Sequence, residues 1–311
     1  MTVCWYVDDL KVSHKEESAI VAFVLKICNI FGNGTKFNRG KVHKYVVMDT
    51  DWSQDGTPII SIIKYLQKTI DDFPEVIRST SSMYATEYLF RVRDEKERKL
   101  LPGEQAQQFH HIVAQLLFLC MRSHPDIQPL VAFLTTRVRY LDEDDRGKLK
   151  QGMNYLKGTL YMKLYLRVDY LKTILRWVDA SYVTHWDCKS HTGAVMSIGV
   201  GEILILSRKQ KLNTGSSTEA ELVGITDMLG LMMWTKYFME VQVNIIDINI
   251  LFQDNQSTIM LAKNGRRSAG KNSKHIKNHY FLITDKVHQE DLEIRYKPTD
   301  EIMDYYQSSS S

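Results

Sequence analysis

Four acidic residues in the second half of the chain lie where a predicted strand or loop gives way to a helix. They are Asp179, Glu219, Asp254 and Asp304. Carboxylates from separate elements suit a pair of divalent ions such as Mg²⁺ or Mn²⁺, because these hard cations take oxygen ligands. A close metal pair stabilises both the attacking and the leaving oxygen of a phosphodiester. The pattern therefore predicts a metal-dependent hydrolase that cuts a nucleic-acid backbone.

Each of these acids also has a purely structural explanation. Thr218 and Glu221 fit a capping box at the start of a helix, where an acid such as Glu219 favours the helix dipole without any catalysis. Asp254 could cap the next helix, and Asp304 could lie in a solvated terminal helix. Four carboxylates at one edge would repel one another and raise their pKa values unless a cation held them together. That cost favours a shared metal site.

Basic residues form two groups near the predicted site. One precedes the long predicted helix, and the other lies in an irregular stretch, 263–277, that contains no acid. The candidate contacts to nucleic acid are Arg208, Lys209, Lys211, Arg266, Arg267, Lys271 and Lys274. Basic loops of this kind bind phosphates with little sequence preference. A solvated, solubilising loop explains the charge equally well.

The composition is that of an ordinary soluble globular protein, with 44% hydrophobic and 25% charged residues over 311 positions. A net charge of +3 permits nucleic-acid binding without arguing for it. The four cysteines are far apart, which favours reduced thiols in an intracellular protein over a disulfide framework. No apolar run approaches the roughly 18 residues of a membrane span. Only His275 and His279 have a zinc-like spacing, which is too little to indicate a zinc site.

Hydrophobic periodicity predicts the order of the elements. Residues 3–12 alternate as a hairpin with Asp8-Asp9 at its turn, and residues 16–31 have helical spacing. Three helices are predicted within 103–158, the second with Pro125 in its first turn, and their short connections indicate a compact helical subdomain. From about residue 170 come three strands, a long helix, a strand at 248–253, a helix at 256–263, a further helix, a strand and a final helix near 300–306. We therefore predict an α/β (α+β) fold in which helices pack on a mixed sheet.

Six stretches of the sequence carry a likeness to a known family. They are Tyr6-Val7-Asp8-Asp9, Phe109-His110-His111 with Pro125-Asp126-Ile127, Ser216-Ser217-Thr218-Glu219-Ala220-Glu221, Gln253-Asp254-Asn255-Gln256-Ser257, Lys274-His275-Ile276 and Tyr296-Lys297-Pro298-Thr299. In this order they resemble the C-terminal part of copia-type LTR retrotransposon polyproteins, from the reverse transcriptase palm through the RNase H domain. The likeness covers nearly the whole chain, and the third and fourth stretches are its most specific part.

The resemblance implies three regions with separate roles. Residues 1–100 match a partial reverse transcriptase palm and linker, 101–168 the helical thumb and connection, and 169–311 an RNase H-like domain. Asp8 and Asp9 match metal-binding carboxylates of the polymerase, and the four acids introduced above match those of the RNase H site. The expected substrate is an RNA–DNA hybrid cut on its RNA strand, with Mg²⁺ or Mn²⁺ as cofactor. The expected partners are nucleic acid, an upstream polymerase segment or other retroelement proteins, in a cytoplasmic virus-like particle or the nucleus and without a membrane.

Departures from the family pattern change some of these expectations. The fingers and the first half of the palm have no counterpart in this sequence, so we expect polymerase activity to be lost. Where the family usually has Tyr-Leu-Gly-Met, the chain has Tyr45-Val46-Val47-Met48, so we expect a disturbed tight turn. One residue is missing before Asp304, which weakens its match to the fourth ligand. The alternative function is a catalytically inactive retroelement relic that only binds nucleic acid.

Overall fold

The computed structural model describes residues 1–32, 36–54, 56–82, 88–169, 171–242, 245–265, 277–289 and 291–298. In the last helix, which begins at residue 277, it describes the side chains from residue 282 onward. Within these ranges the predicted α/β architecture is confirmed. Helices and small sheets form the first half of the chain, and a five-stranded mixed sheet with helices forms the second. None of the helices in the described ranges is long and apolar enough to cross a membrane.

The chain begins with the predicted hairpin and helix. Strands β1 (Thr2–Tyr6) and β2 (Asp9–Ser13) pair antiparallel, and helix α1 covers Glu17–Phe31. Tyr6 pairs with Asp9, so the turn consists of Val7 and Asp8 rather than of the two aspartates. The hairpin therefore presents both carboxylates at its exposed tip.

A second hairpin contains the Val46-Val47 pair. Strands β3 (Val42–Tyr45) and β4 (Met48–Asp51) pair antiparallel, with Tyr45 opposite Met48. The turn is kept, but Val46 has φ 50° and Val47 has φ 69°. Left-handed backbone is unfavourable for β-branched residues, because Cβ approaches the following carbonyl oxygen. The expected disturbance therefore takes the form of strain within an intact turn.

The hairpin extends into a four-stranded antiparallel sheet, and helices follow it. Strands β5 (Ile59–Ser61) and β6 (Leu164–Tyr165) complete the sheet in the order β3-β4-β5-β6. The helices are α2 (Ile63–Asp71), α3 (Gly103–Cys120), α4 (Gln128–Arg137) and α5 (Glu143–Gly158). Pro125 begins a 3₁₀ turn that precedes α4, rather than the α-helix itself.

The helices share one hydrophobic core with residues that precede position 100. Leu66 and Phe73 lie in the same cluster as Leu116 of α3, Phe133 of α4 and Met153 of α5. The cluster runs from Ile62 to Leu156, so it takes side chains from both sides of residue 100. The proposed domain boundary at that position stays a prediction.

The second half of the chain is built on a five-stranded sheet. Its strands are β8 (Thr173–Ser181), β9 (His191–Ser197), β11 (Leu204–Lys209), β12 (Ile248–Gln253) and β13 (Glu293–Tyr296). Their spatial order is β11-β9-β8-β12-β13. The strand β9 pairs antiparallel with both β11 and β8, whereas β12 pairs parallel with both β8 and β13. Two short strands, β7 (Arg167–Val168) and β10 (Gly199–Val200), form a separate pair.

Three helices accompany this sheet, and the longest of them covers one face. They are α6 (Ser217–Val241), α7 (Gln256–Asn264) and α8 (Lys277–His288). Ile174, Val178 and Leu251 of the sheet lie in one core with Leu222 and Met228 of α6. The helix α4 of the first half contacts β11, the strand at one end of the sheet. The edge at which β8 and β12 end lies beside the start of α6, because Glu221 of α6 accepts hydrogen bonds from Ala180 and Gln253.

Candidate metal centre

Three carboxylates meet at the edge where the parallel strands end. Asp179 lies near the end of β8, Asp254 directly follows β12, and Glu221 belongs to α6. Phe252 of β12 lies opposite Trp177 of the parallel strand β8. Asp254 follows Phe252 by two residues and Asp179 follows Trp177 by two residues, so the two acids lie at the same level of the sheet. One carboxylate oxygen from each acid lies within 4.8 Å of the others. Within the described ranges, this is the only group of three or more potential metal ligands.

Glu221 is held in this cluster by two hydrogen bonds. The backbone N–H of Ala180 donates to Glu221 Oε1 at 3.1 Å, and the side-chain amide of Gln253 donates to Oε2 at 3.1 Å. Glu221 is only 5% exposed. The side chain is therefore fixed by protein donors and not by bulk water.

Glu219, the predicted ligand from this helix, does not join the cluster. Its Oε2 accepts a hydrogen bond from the backbone N–H of Gly215 at 2.7 Å. The predicted capping box with Thr218 is wrong, because the N-cap is Ser216, whose hydroxyl accepts from the N–H of Glu219. Glu219 is thus the third helical residue, where an acid stabilises the helix start.

Asp254 is brought into the cluster as predicted, and its structural alternative is excluded. The N-cap of α7 is Asn255, whose side-chain oxygen accepts from the N–H of Thr258 at 3.1 Å. Asp254 is therefore not the capping residue. Its place beside Asp179 follows from the parallel pairing of β12 with β8.

The cluster has the electrostatics of acids crowded into a partly buried site. Burial, followed by the negative charge of Asp179, raises the pKa of Glu221 to about 8. Burial and the charge of Asp254 raise the pKa of Asp179 above its ordinary range. Like charges at this distance oppose one another's ionisation unless a cation neutralises them. The donor set is all carboxylate oxygen, which is what Mg²⁺ and Mn²⁺ prefer.

The other predicted site residues are placed as follows. Asp8 and Asp9 are exposed at the tip of the first hairpin. Arg208 and Lys211 are exposed, whereas Lys209 is partly covered and its Nζ lies 2.8 Å from Asp187 Oδ2. The residues outside the described ranges are Asp304, Arg266, Arg267, Lys271 and Lys274.

Two features of the region were not predicted from the sequence. Glu221 is one of them. The stretch Ser216-Ser217-Thr218-Glu219 fits a capping box as well as the stretch that begins at Thr218. A helix that begins with the first of these boxes uses Glu219 in the cap and leaves Glu221 available as a ligand. The other is a buried histidine pair, in which His185 Nε2 lies 3.0 Å from His191 Nδ1. No local pattern indicates the pair, because Phe90, which packs against both rings, is distant in sequence.

The fold of the chain is similar to that of a retroviral reverse transcriptase, and its five-stranded sheet with helices is RNase H-like. The foamy viral protease–reverse transcriptase, solved with an RNA/DNA hybrid, aligns with 96% of this chain and 36% of its own length. The TM-score is 0.51 at 10% identity, so this likeness shows the fold alone. An RNase H1 isolated from compost aligns over 44% of this chain and 91% of its own, with TM-score 0.32 and 11% identity.

The sequence itself is similar to a retrotransposon polyprotein. It is 28% identical over 191 residues to the retrovirus-related Pol polyprotein from transposon TNT 1-94 of Nicotiana tabacum. The match covers 61% of this chain and 14% of that polyprotein. No protein-family model matches the chain. The resemblance to the C-terminal part of a retrotransposon polyprotein, predicted from the short motifs, is therefore confirmed.

Proposed function

We propose that Asp179, Glu221 and Asp254 form the metal site of an RNase H-type endonuclease that hydrolyses the RNA strand of RNA–DNA hybrids. The observation that carries this proposal is the meeting of three carboxylates, with oxygens within 4.8 Å, at one edge of an RNase H-like sheet. Three separate elements contribute one acid each, so the cluster does not arise from a single local motif. Asp304 remains the proposed fourth ligand.

The residues present fit a pair of divalent cations. Each carboxylate offers hard oxygen donors. Burial, followed by repulsion from a neighbouring acid, raises the pKa values of Glu221 and Asp179, and a cation would relieve that repulsion. When bound, such ions lower the pKa of an attacking water and stabilise the leaving oxygen of the cleaved phosphodiester. The protein's contribution is to hold Asp179 and Asp254 on paired strands and Glu221 on the adjoining helix.

Nucleic acid is the proposed partner, and exposed cations support this part of the proposal. Arg208 lies near the end of β11 and Lys211 in the connection to α6, so both precede the helix that carries Glu221. We extend the same role to Lys209 and to the basic residues of 263–277. The same proposal includes the division of the chain into three regions at residues 100 and 168 and a polymerase remnant that contains Asp8 and Asp9. It also includes location in a virus-like particle or the nucleus.

Cleavage of a labelled RNA–DNA hybrid tests this function directly. The full chain with Mg²⁺ or Mn²⁺ should shorten the RNA strand, and Asp254→Asn should abolish cleavage while leaving the far-ultraviolet circular dichroism spectrum unchanged. The inactive-relic alternative predicts a different result, namely retention of the hybrid in a mobility-shift assay with no metal-dependent product. Unchanged cleavage by Asp254→Asn would remove the cluster as the active site.

A further inference from the structure

We propose that Gln253 is a positioning residue that sets the orientation of the Glu221 carboxylate for metal binding. This inference rests on the proposed function and assigns a role to a residue that makes no metal contact itself. Gln253 is the last residue of β12 and immediately precedes Asp254. Its side chain is completely buried.

The N–H groups and the oxygen of the Gln253 side-chain amide all bond to Glu221 or to backbone next to the other two acids. The Nε2 group donates to Glu221 Oε2 at 3.1 Å and to the carbonyl oxygen of Val178 at 3.3 Å. The Oε1 atom accepts from the backbone N–H of Asn255 at 3.0 Å. One amide thus links the three segments that carry the acids, because Val178 and Asn255 are the neighbours in sequence of Asp179 and Asp254.

The hydrogen bond from Gln253 fixes the orientation of the Glu221 carboxylate, which affects how this carboxylate can bind a metal. A carboxylate that would bind a metal can rotate and present either oxygen, and donors at fixed positions remove that freedom. Ala180 N–H holds Oε1 and Gln253 holds Oε2, so the plane of the Glu221 carboxylate is defined from two sides. Without the amide, Oε2 would lose its donor in a place where Glu221 is only 5% exposed.

The length and chemistry of glutamine suit this position. The side chain must reach from the end of β12 to α6 and still donate to Val178 on β8. Asparagine keeps the amide but is one methylene shorter, and methionine keeps the length but has no N–H group. These two substitutions therefore remove the same hydrogen bond by different means.

A purely structural role makes a different prediction. If Gln253 served only to tie β8 to β12, its loss would lower thermal stability but leave metal binding unchanged. If it positions Glu221, metal affinity must fall as well. Substitution of groups that orient metal ligands typically weakens binding about 10–100-fold.

The experiment measures Mn²⁺ binding to the full chain by calorimetry, together with the shift in unfolding temperature that Mn²⁺ produces. We expect Gln253→Met and Gln253→Asn each to weaken the Mn²⁺ affinity of the site about 10–100-fold and to reduce that temperature shift. Gln115→Met is the matched control, because Gln115 is also buried and its side-chain amide donates to a carboxylate, Asp72 Oδ2, at 2.9 Å in the helical region. This control should lose stability and keep the Mn²⁺ affinity of the wild-type protein.

The outcomes separate this inference from the proposed function. Wild-type affinity for Mn²⁺ in a folded Gln253→Met or Gln253→Asn protein would overturn the positioning role while leaving the metal site intact. Absence of Mn²⁺ binding to the wild-type protein would overturn the metal site itself, and the role of Gln253 with it. If one variant fails to fold, by circular dichroism, the other decides.

Discussion

Glu219 and Glu221 lie two positions apart in one helix, yet their carboxylates accept hydrogen bonds from different parts of the fold. Glu219 bonds to Gly215 in the preceding turn, and Glu221 bonds to Ala180 of β8 and to Gln253 of β12. Residues two positions apart in a helix do not face the same side. Only Glu221 can therefore join the acids of the sheet, and Glu219 belongs to the helix start.

The first prediction concerns the pH dependence of metal binding. The pKa of Glu221 is raised to about 8 by burial and by Asp179, so this acid carries a proton over most of the neutral range in the metal-free protein. A metal must displace that proton, so Mn²⁺ affinity should rise by about tenfold per pH unit from about pH 6 to about pH 8 and then level off. Calorimetry at several pH values measures this slope. A flat affinity across the interval would contradict the coupling.

The second prediction concerns the strained turn at Val46 and Val47. Val47 has φ 69° and a 55% exposed side chain, so replacing it by glycine relieves the left-handed strain and loses little packing. Val47→Gly should stabilise the protein by about 1 kcal/mol. Left-handed backbone costs an L-residue about 1–2 kcal/mol, and the larger loss of chain entropy when glycine folds offsets part of the gain from removing that cost.

Val42→Gly is the control for this turn, since Val42 is 58% exposed and lies in the regular strand β3. It should destabilise the protein by about 0.5–1 kcal/mol, as glycine does within a strand. Urea unfolding of the two variants gives the comparison. Destabilisation of similar size in both would show that the turn stores no strain.

The third prediction concerns a buried ion pair in the helical core. Arg137 Nε lies 3.2 Å from both carboxylate oxygens of Asp145, and the two side chains are at most 3% exposed. Arg137→Met should lower the free energy of unfolding by about 3–5 kcal/mol, because it leaves the Asp145 carboxylate buried without its cation. The double variant Arg137→Met with Asp145→Leu should recover much of this loss. Urea unfolding measures the free energy of unfolding of both variants. An equal decrease in the single and the double variant would contradict the explanation that the loss comes from an unpaired, buried Asp145 carboxylate.

The fourth prediction uses the buried histidine pair. Burial, followed by Lys209, lowers the pKa of His185 to about 4, and burial, followed by His185, lowers that of His191 to about 3. Unfolded histidine has a pKa near 6.5, so below that value the unfolded chain binds protons that the folded protein does not. The free energy of unfolding should therefore fall as the pH drops from about 6.5 to about 4.

His191→Met isolates the contribution of the pair to this acid sensitivity. The variant removes one buried imidazole and the bond between His191 Nε2 and Ser207 Oγ, which lie 2.7 Å apart. Its unfolding free energy should change less steeply between about pH 6.5 and about pH 4 than that of the wild type. Identical slopes in chemical denaturation would assign the acid sensitivity to other groups.

Much of the framework follows from local sequence patterns. The strand at 248–253 and the helix that starts at Gln256 lie where the sequence predicts them, although Asn255 caps the helix and not Asp254. Asp179 and Asp254 could be predicted as neighbours once their strands were placed, since parallel strands end at the same edge of a sheet. Their meeting depends on strand order more than on any single motif.

The remaining features depend on contacts that no local pattern encodes. Whether Glu219 or Glu221 faces the sheet depends on which residue begins α6, and three consecutive hydroxyl residues, Ser216, Ser217 and Thr218, could each serve as the N-cap. Arg176 is a second case, because this fully buried guanidinium donates to the carbonyl oxygen of Met232, far along the chain. In both cases the outcome depends on packing between distant segments.

The most direct test of the central claim compares Glu221→Gln with Glu219→Gln in metal-dependent cleavage of an RNA–DNA hybrid by the full chain. The two substitutions make the same chemical change two residues apart, and circular dichroism verifies that both proteins fold. We predict that Glu221→Gln lowers the cleavage rate at least about 100-fold and that Glu219→Gln keeps a rate within a few-fold of the wild type. Loss of cleavage in Glu219→Gln with retention in Glu221→Gln would contradict the assignment of the metal site.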